Sequence, residues 1–220
     1  MIKNVLFDLY GTLIDIHTDE ESNQFWFRLA RKFKKFKSYT PLELKEAYLK
    51  QCHLQEKEEI DISIVFEQLF SIDQIKAKNV AVVFRKLSTT YIRCYKKAKG
   101  LLKKLKKAGY RLFVLSNAQS AFTLPELKRL KLLSYFDGLA ISSDYGIKKP
   151  NIDFFRQALV NFDLKEFETC MIGNDYECDI LPALKLGLKT IYIESNLSPN
   201  QREVEKLKKL DKNKIYELLS

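Results

Sequence analysis

The sequence predicts an α/β fold: a Rossmann-like parallel sheet core with an inserted helical cap. Three observations predict it. Five short apolar, β-rich runs stand at about 3–8, 111–116, 138–142, 169–173 and 189–193. Helical patterns separate the last four of them. Residues 16–94 break this rhythm, with no convincing strand and with Phe, Leu, Lys and Glu at helical spacing. Strands alternating with helices imply parallel pairing through right-handed crossovers.

Each element has its own signal. Val5-Leu6-Phe7 is a buried strand ending in the acid Asp8. Thr18-Asp19-Glu20-Glu21 has the spacing of a capping box and predicts a helix start. Thr40-Pro41-Leu42-Glu43 predicts another, with Pro at the first helical position. Leu101, Leu102, Leu105 and Ala108 repeat at helical spacing, and Gly109 follows as a stop. Leu124, Leu127, Leu130 and Leu133 form a second stripe, and Phe154, Phe155, Ala158 and Leu159 a third. Ile180, Leu184 and Gly187 suggest a fourth helix, and residues 195–220 a terminal connection with a Lys-rich surface helix. The division expected is a core of residues 1–15 and 95–220 with a helical cap at 16–94, seated over the carboxyl ends of the strands.

Bulk properties narrow the function. The 220 residues, 46% hydrophobic and 12% aromatic, suffice for one globular domain with an insert. No run of 18 apolar residues is present, so no membrane partner is expected. The first strand follows Met1-Ile2-Lys3-Asn4 without a signal-peptide plan, so the expected location is the cytoplasm. Cys52, Cys94, Cys170 and Cys178 have wide, irregular spacing, which suggests neither a zinc site nor a disulfide framework. The net charge of +10 comes from lysines mostly on polar helix faces, with few interleaved Arg or aromatic residues. That pattern reads as a solvated surface, without a nucleic-acid partner, whose field favours a small anionic substrate. No oligomeric state follows from these features.

Four strand ends carry candidate chemistry. Asp8 can act as a nucleophile that forms a covalent intermediate, or simply cap a turn. Gly11-Thr12 permits a sharp turn there and offers backbone N–H groups. Ser116-Asn117 ends the second run; Ser116 can bind an anionic oxygen or cap the next helix. Lys149 precedes Pro150, which disfavours helix and lets the ammonium aim inward to balance Asp8 and an anion. Asp175 and Asp179 follow Gly173-Asn174 at a strand-to-helix turn, where they can converge on Mg²⁺ or stabilise the helix start. His17 can reach the site entrance or serve as a polar hinge residue. Trp26 and Phe27 can line a pocket or pack the interior of the cap.

These motifs, in this order, resemble the haloacid dehalogenase superfamily of aspartate-nucleophile hydrolases. The matching residues are Asp8-Leu9-Tyr10-Gly11-Thr12-Leu13, Ser116-Asn117, Lys149-Pro150 and Gly173-Asn174-Asp175 with Asp179. The resemblance covers residues 3 to about 193. It implies catalytic roles for Asp8, Tyr10, Ser116 and Lys149, and substrate binding by Thr12 and Asn117. For the phosphatase members it also implies Mg²⁺, with Asp8, the Tyr10 carbonyl, Asp175 and Asp179 as the ligands expected here. Asn174 stands where those members usually have the first metal acid, which makes the site atypical and leaves Asn174 as a candidate ligand.

Tyr10 departs from the pattern. The phosphatases usually carry a second acid there, which protonates the leaving group. A phenol, with a reference pKa near 10, is a poor donor at neutral pH. Tyr10 therefore points to a halide or a low-pKa phosphate leaving group, and the metal-free 2-haloacid dehalogenases of the family carry Tyr at this position. Asp175 points the other way. It adds negative charge where a metal-free enzyme would hold a carboxylate substrate, which is costly without a cation. The expected activity is thus a Mg²⁺-dependent phosphatase acting on a small phosphorylated metabolite or activated phosphate. A 2-haloacid dehalogenase is the alternative, and a catalytically weak binding or regulatory protein the third reading.

Overall fold

The computed structural model describes residues 1–55, 57–199 and 204–220. Among these, β1 (Asn4–Phe7), β4 (Arg111–Ser116), β5 (Gly138–Ile141), β6 (Thr169–Gly173) and β7 (Lys189–Tyr192) form one parallel sheet in the order β5-β4-β1-β6-β7. These are the five runs expected from sequence. The chain builds outward from β1 in one direction through β4 and β5, then in the other through β6 and β7. The reversal opens a crevice at the carboxyl ends of β1 and β6, the place where open α/β sheets bind ligands. Register sharpens this. Phe7 lies level with Val114 on one side and Ile172 on the other, so the next residue, Asp8, emerges beside Leu115 and Gly173.

Helices cover both faces. The alternation of β1 sends Val5 and Phe7 to one face, with Leu101 and Leu105 of α5 (Ala98–Lys107) and Ile215 and Leu219 of α10 (Lys212–Leu219). Leu6 faces the opposite side with Phe154, Phe155 and Ala158 of α8 (Ile152–Asn161). The remaining core helices are α6 (Ser120–Arg129), α7 (Ser142–Tyr145) and α9 (Leu181–Lys185). The terminal segment is more than a surface appendage, because α10 buries Ile215 and Leu219 and Leu207 bridges Ile193. The second stripe is also shorter than its leucines suggest. α6 ends at Arg129, Leu133 falls in a separate 3₁₀ turn, and Leu124 is exposed. The fourth helix begins as a π-turn over Tyr176–Ile180 before α9.

Residues 16–94 hold α1 (Asn23–Phe33), α2 (Pro41–Leu54), α3 (Ile62–Phe70) and α4 (Gln74–Ser88) around their own aromatic cluster. Phe25 meets Phe84 edge-on at 5.1 Å, and Phe66 lies 5.4 Å from Phe84. Trp26 is buried there, its indole N–H donating to the Glu20 carbonyl at 2.8 Å. The capping box at α2 is present: the Thr40 amide donates to Glu43 Oε2 at 2.8 Å and the Glu43 amide to Thr40 Oγ1 at 3.3 Å.

Two expectations need correction. The capping box at Thr18–Glu21 does not form; Ser22 caps α1, and Asp19 accepts from the Ser22 amide at 3.0 Å instead. The block is also not strand-free. β2 (Ile14–Thr18) and β3 (Thr89–Cys94) pair antiparallel as a two-stranded ribbon where the chain enters and leaves the helices. The alternation Ile14-Asp15-Ile16-His17 and the β-branched, aromatic run Thr89-Thr90-Tyr91-Ile92 carry the strand signal. Arg93 pins the ribbon to Asp15 at 2.8 Å. No helix among the described residues is long and apolar enough to cross a membrane, and the four cysteines are free thiols.

Candidate active site

The site forms at the reversal point of the sheet. The Asp8 amide donates to the Ile172 carbonyl at 3.0 Å, extending β1 by one residue and fixing the carboxylate at the strand end. Asp8 Oδ1 accepts from Lys149 Nζ at 2.9 Å and from Ser116 Oγ at 3.4 Å; Oδ2 accepts from Thr12 Oγ1 at 3.0 Å. The same Thr12 hydroxyl lies 3.0 Å from Asn174 Oδ1. Gly11 makes this approach possible. Its φ is +94°, and a Cβ there would stand 2.2 Å from Asn174 Nδ2.

Lys149 is fully partnered. Its three N–H donors reach Asp8 at 2.9 Å, the Leu115 carbonyl at 2.9 Å and Asp179 Oδ1 at 2.5 Å. Burial alone would lower its proton affinity, but the Asp179 and Asp8 carboxylates more than offset that and hold the ammonium above the usual lysine range. Burial pushes the Asp179 carboxyl up; Lys149 pulls it back, and the Asp8 charge adds to the rise. Gly173 lets that carboxylate lie against the strand, since a Cβ would stand 2.3 Å from Asp179 Oδ2. Asn117 sets the lysine's backbone. Its amide donates to the Lys149 carbonyl and accepts from the Lys149 amide, both at 2.8 Å.

Asp175 works as a cap, Oδ1 accepting from the Glu177 and Cys178 amides at 3.0 Å, while its own amide donates to Asp179 Oδ2 at 3.0 Å. Asp8, Tyr10, Ser116, Asn117, Lys149, Asn174, Asp175 and Asp179 line one cavity of about 280 Å³, together with Cys178, Leu197 and Pro199. Burial and the Asp175 charge push the Cys178 thiol up to about 12, so it stays protonated.

Tyr10 lines the cavity but turns its hydroxyl elsewhere. It donates to Glu126 Oε2 at 2.5 Å and lies 3.1 Å from Thr123 Oγ1, both on α6. Arg85, in the last turn of α4, donates to Glu126 Oε1 at 2.8 Å, with its guanidinium 5.3 Å from the Tyr10 ring centroid. Burial, then the Glu126 charge, raise the phenol well above its usual range.

His17 lies in the ribbon, stacked on Tyr91 at 6.0 Å and away from the cavity. Trp26 packs inside the helical block, and Phe27 corrects both expectations for it by lying on the surface. Leu197 and Pro199 belong to a segment read only as a connection. Arg85, Thr123 and Glu126 gave no sequence signal, because they lie 75, 113 and 116 residues from Tyr10 and only the fold joins them.

The geometry agrees with comparisons to known proteins. The family model for haloacid dehalogenase-like hydrolases matches residues 5–193. A glyceraldehyde 3-phosphate phosphatase of Methanothermobacter thermautotrophicus is 28% identical over 94% of this chain and 92% of its own length. Another, from Pyrococcus abyssi, is 26% identical over 88% and 82%. Among solved structures, a HAD phosphatase from Thermococcus onnurineus superposes with a TM-score of 0.67 at 21% identity, covering 99% of this chain and 98% of that one. A 2-haloacid dehalogenase from Pseudomonas syringae gives 0.68 at 20%, covering 100% and 98%. At such identities the two structures speak for the fold, and the family model for the lineage. The chain belongs to the haloacid dehalogenase-like hydrolases.

Proposed function

We propose that this hydrolase is a Mg²⁺-dependent phosphatase that acts on a small phosphorylated metabolite or an activated phosphate, with Asp8 as nucleophile and residues 16–94 as a cap over the site. One observation carries the reading. Among the described residues, Asp8, Asp175 and Asp179 line a single small cavity with Lys149 as the one cation beside them. Two negative charges are left for a divalent ion to balance, and an anionic substrate would otherwise be repelled. The other oxygen-bearing side chains among the described lining residues include Ser116, Asn117 and Asn174. That is an oxygen set suited to a hard ion that keeps waters and takes its last ligand from phosphate. Among the described residues no three Asp, Glu, His or Cys side chains stand together as a ready metal cluster. Asp8, the Tyr10 carbonyl and Asp175 would hold the ion, with Asn174 and Asp179 adjoining. When bound, it would neutralise charge on the phosphoryl oxygens.

The protein's own part follows from its contacts. The Asp8 carboxylate attacks phosphorus; an Oδ–P bond forms, and the bond to the ester oxygen breaks with its electron pair. Ser116 and Lys149 orient the nucleophile, and Lys149 stays charged throughout. Water then attacks phosphorus, the Oδ–P bond breaks, and phosphate leaves with Asp8 restored. The Tyr10 hydroxyl donates to Glu126 and is not turned toward the leaving group. Substrates with weakly basic leaving groups are therefore favoured.

Tyr10 also favours a second reading, carbon–halogen hydrolysis, since a halide needs no proton. A screen of phosphoesters, acyl phosphates, pyrophosphates and 2-haloacids, each with Mg²⁺ and with EDTA, separates the two. Phosphate release that needs Mg²⁺ is expected; halide release at full rate in EDTA would establish the dehalogenase instead.

A further inference from the structure

We propose that Arg85 and Glu126 are positioning residues for the reaction at Asp8: they clamp Tyr10, and with it the nucleophile loop, when the cap is closed. The proposal rests on the reading of Asp8 as nucleophile and of residues 16–94 as a cap.

Three separate pieces of chain meet in this cluster. Tyr10 lies two residues after Asp8. Glu126 and Thr123 are on the core helix α6, and Arg85 is on the cap helix α4. The Glu126 carboxylate takes one bond from each side, 2.5 Å from the Tyr10 hydroxyl and 2.8 Å from Arg85 Nε. Its side chain is 9% exposed and that of Arg85 14%. The guanidinium also lies 4.6 Å from the Phe122 ring centroid and 5.3 Å from that of Tyr10.

A carboxylate so buried is tolerated only with its cation in place. The cation comes from the cap. Moving α4 away strips Glu126 of Arg85 and Tyr10 of its cation–π partner in one step. The loop feels this directly, because it is a single tight turn. The Gly11 amide donates to the Ile14 carbonyl at 2.8 Å, and the Leu13 and Ile14 amides return to the Leu9 carbonyl at 2.8 and 2.9 Å. Fixing the Tyr10 ring fixes that turn, which Asp8 immediately precedes and which contains Thr12. The residue at the acid position has thus become a strut whose partner is supplied by cap closure.

Two measurements on the full chain test this. The first is amide hydrogen exchange of wild type, Arg85→Lys and Arg85→Ala. Arg85→Ala is expected to speed exchange across residues 9–14 by about tenfold, with Arg85→Lys, which keeps the charge, in between. Unchanged exchange at 9–14 with loosening confined to α4 overturns the proposal. The second is a double-mutant cycle with p-nitrophenyl phosphate. Glu126→Ala is expected to lower kcat about tenfold with KM little changed, and to lower it less than about twofold in a Tyr10→Phe background. Equal losses in both backgrounds mean that Glu126 acts apart from Tyr10, and overturn the proposal. Glu126→Gln, which keeps the shape and one acceptor, takes the same tests if the alanine variant does not fold. Failure of the phosphatase reading shows separately, as a wild type without turnover, and leaves the exchange measurement to decide the clamp.

Discussion

Asp8 and Tyr10 stand two residues apart in one loop, and each is held by an ion pair from a different part of the molecule. Asp8 meets Lys149 and, through it, Asp179; both partners lie on the core, with side chains 2% and 1% exposed. Tyr10 meets Glu126, paired with Arg85 across the seam between core and helical block, at 9% and 14%. The first cluster ties a carboxylate to a buried ammonium at the edge of a cavity. The second joins a phenol, a carboxylate and a guanidinium from three separate stretches of chain. The difference teaches that nearby positions of a short turn can point opposite ways, one to chemistry and one to assembly. A motif read as a string of catalytic residues conceals that division.

The most severe way to break the comparison is at Asp8. Asp8→Asn keeps the shape of the side chain but exchanges one acceptor oxygen for an amide donor and removes the nucleophile, and turnover should fall by about 10³-fold or more while the protein stays folded. Initial rates and thermal unfolding of the purified variant check both halves. Activity within about tenfold of wild type removes Asp8 from its role.

Lys149→Met is next. It leaves Asp8 and Asp179 buried without their cation, so a loss of about 3–5 kcal/mol is expected in urea unfolding at neutral pH, with activity down about 10²-fold. The sign with pH follows from the two carboxylates. Acid neutralises them, so the stability gap between variant and wild type should narrow as pH falls. A gap constant from pH 7 to pH 4 would mean that the pair is not charged in the folded protein.

Gly11→Ala should have a smaller effect that sharpens the contrast. A residue at φ +94° costs about 1–2 kcal/mol in strain, and the added methyl would push Asn174 from its place beside Thr12. Loss of activity with only this modest loss of stability is expected, read by kcat alongside denaturant midpoints.

Most of the core was legible because buried parallel strands appear as continuous apolar runs and the chemistry follows their ends. Asp8, Ser116, Lys149 and Asp179 each close or follow such a run, and the register of β1 against β4 and β6 brings them together. The ribbon of β2 and β3 was harder, since its halves lie 70 residues apart and each strand is short. The Arg85–Glu126–Tyr10 cluster was beyond reach. A lone Arg and Glu on amphipathic helices look like ordinary surface residues until packing buries them at a seam.

On the proposed reading Tyr10 is a strut and supplies no proton. The direct measurement is log kcat/KM against leaving-group pKa for acyl, aryl and alkyl phosphates, with wild type and Tyr10→Asp. For the wild type a steep negative slope is predicted. Tyr10→Asp should flatten it by raising alkyl phosphate hydrolysis up to about 10²-fold with little change for activated substrates. A flat wild-type line would show that another group protonates the leaving oxygen, and would contradict the account.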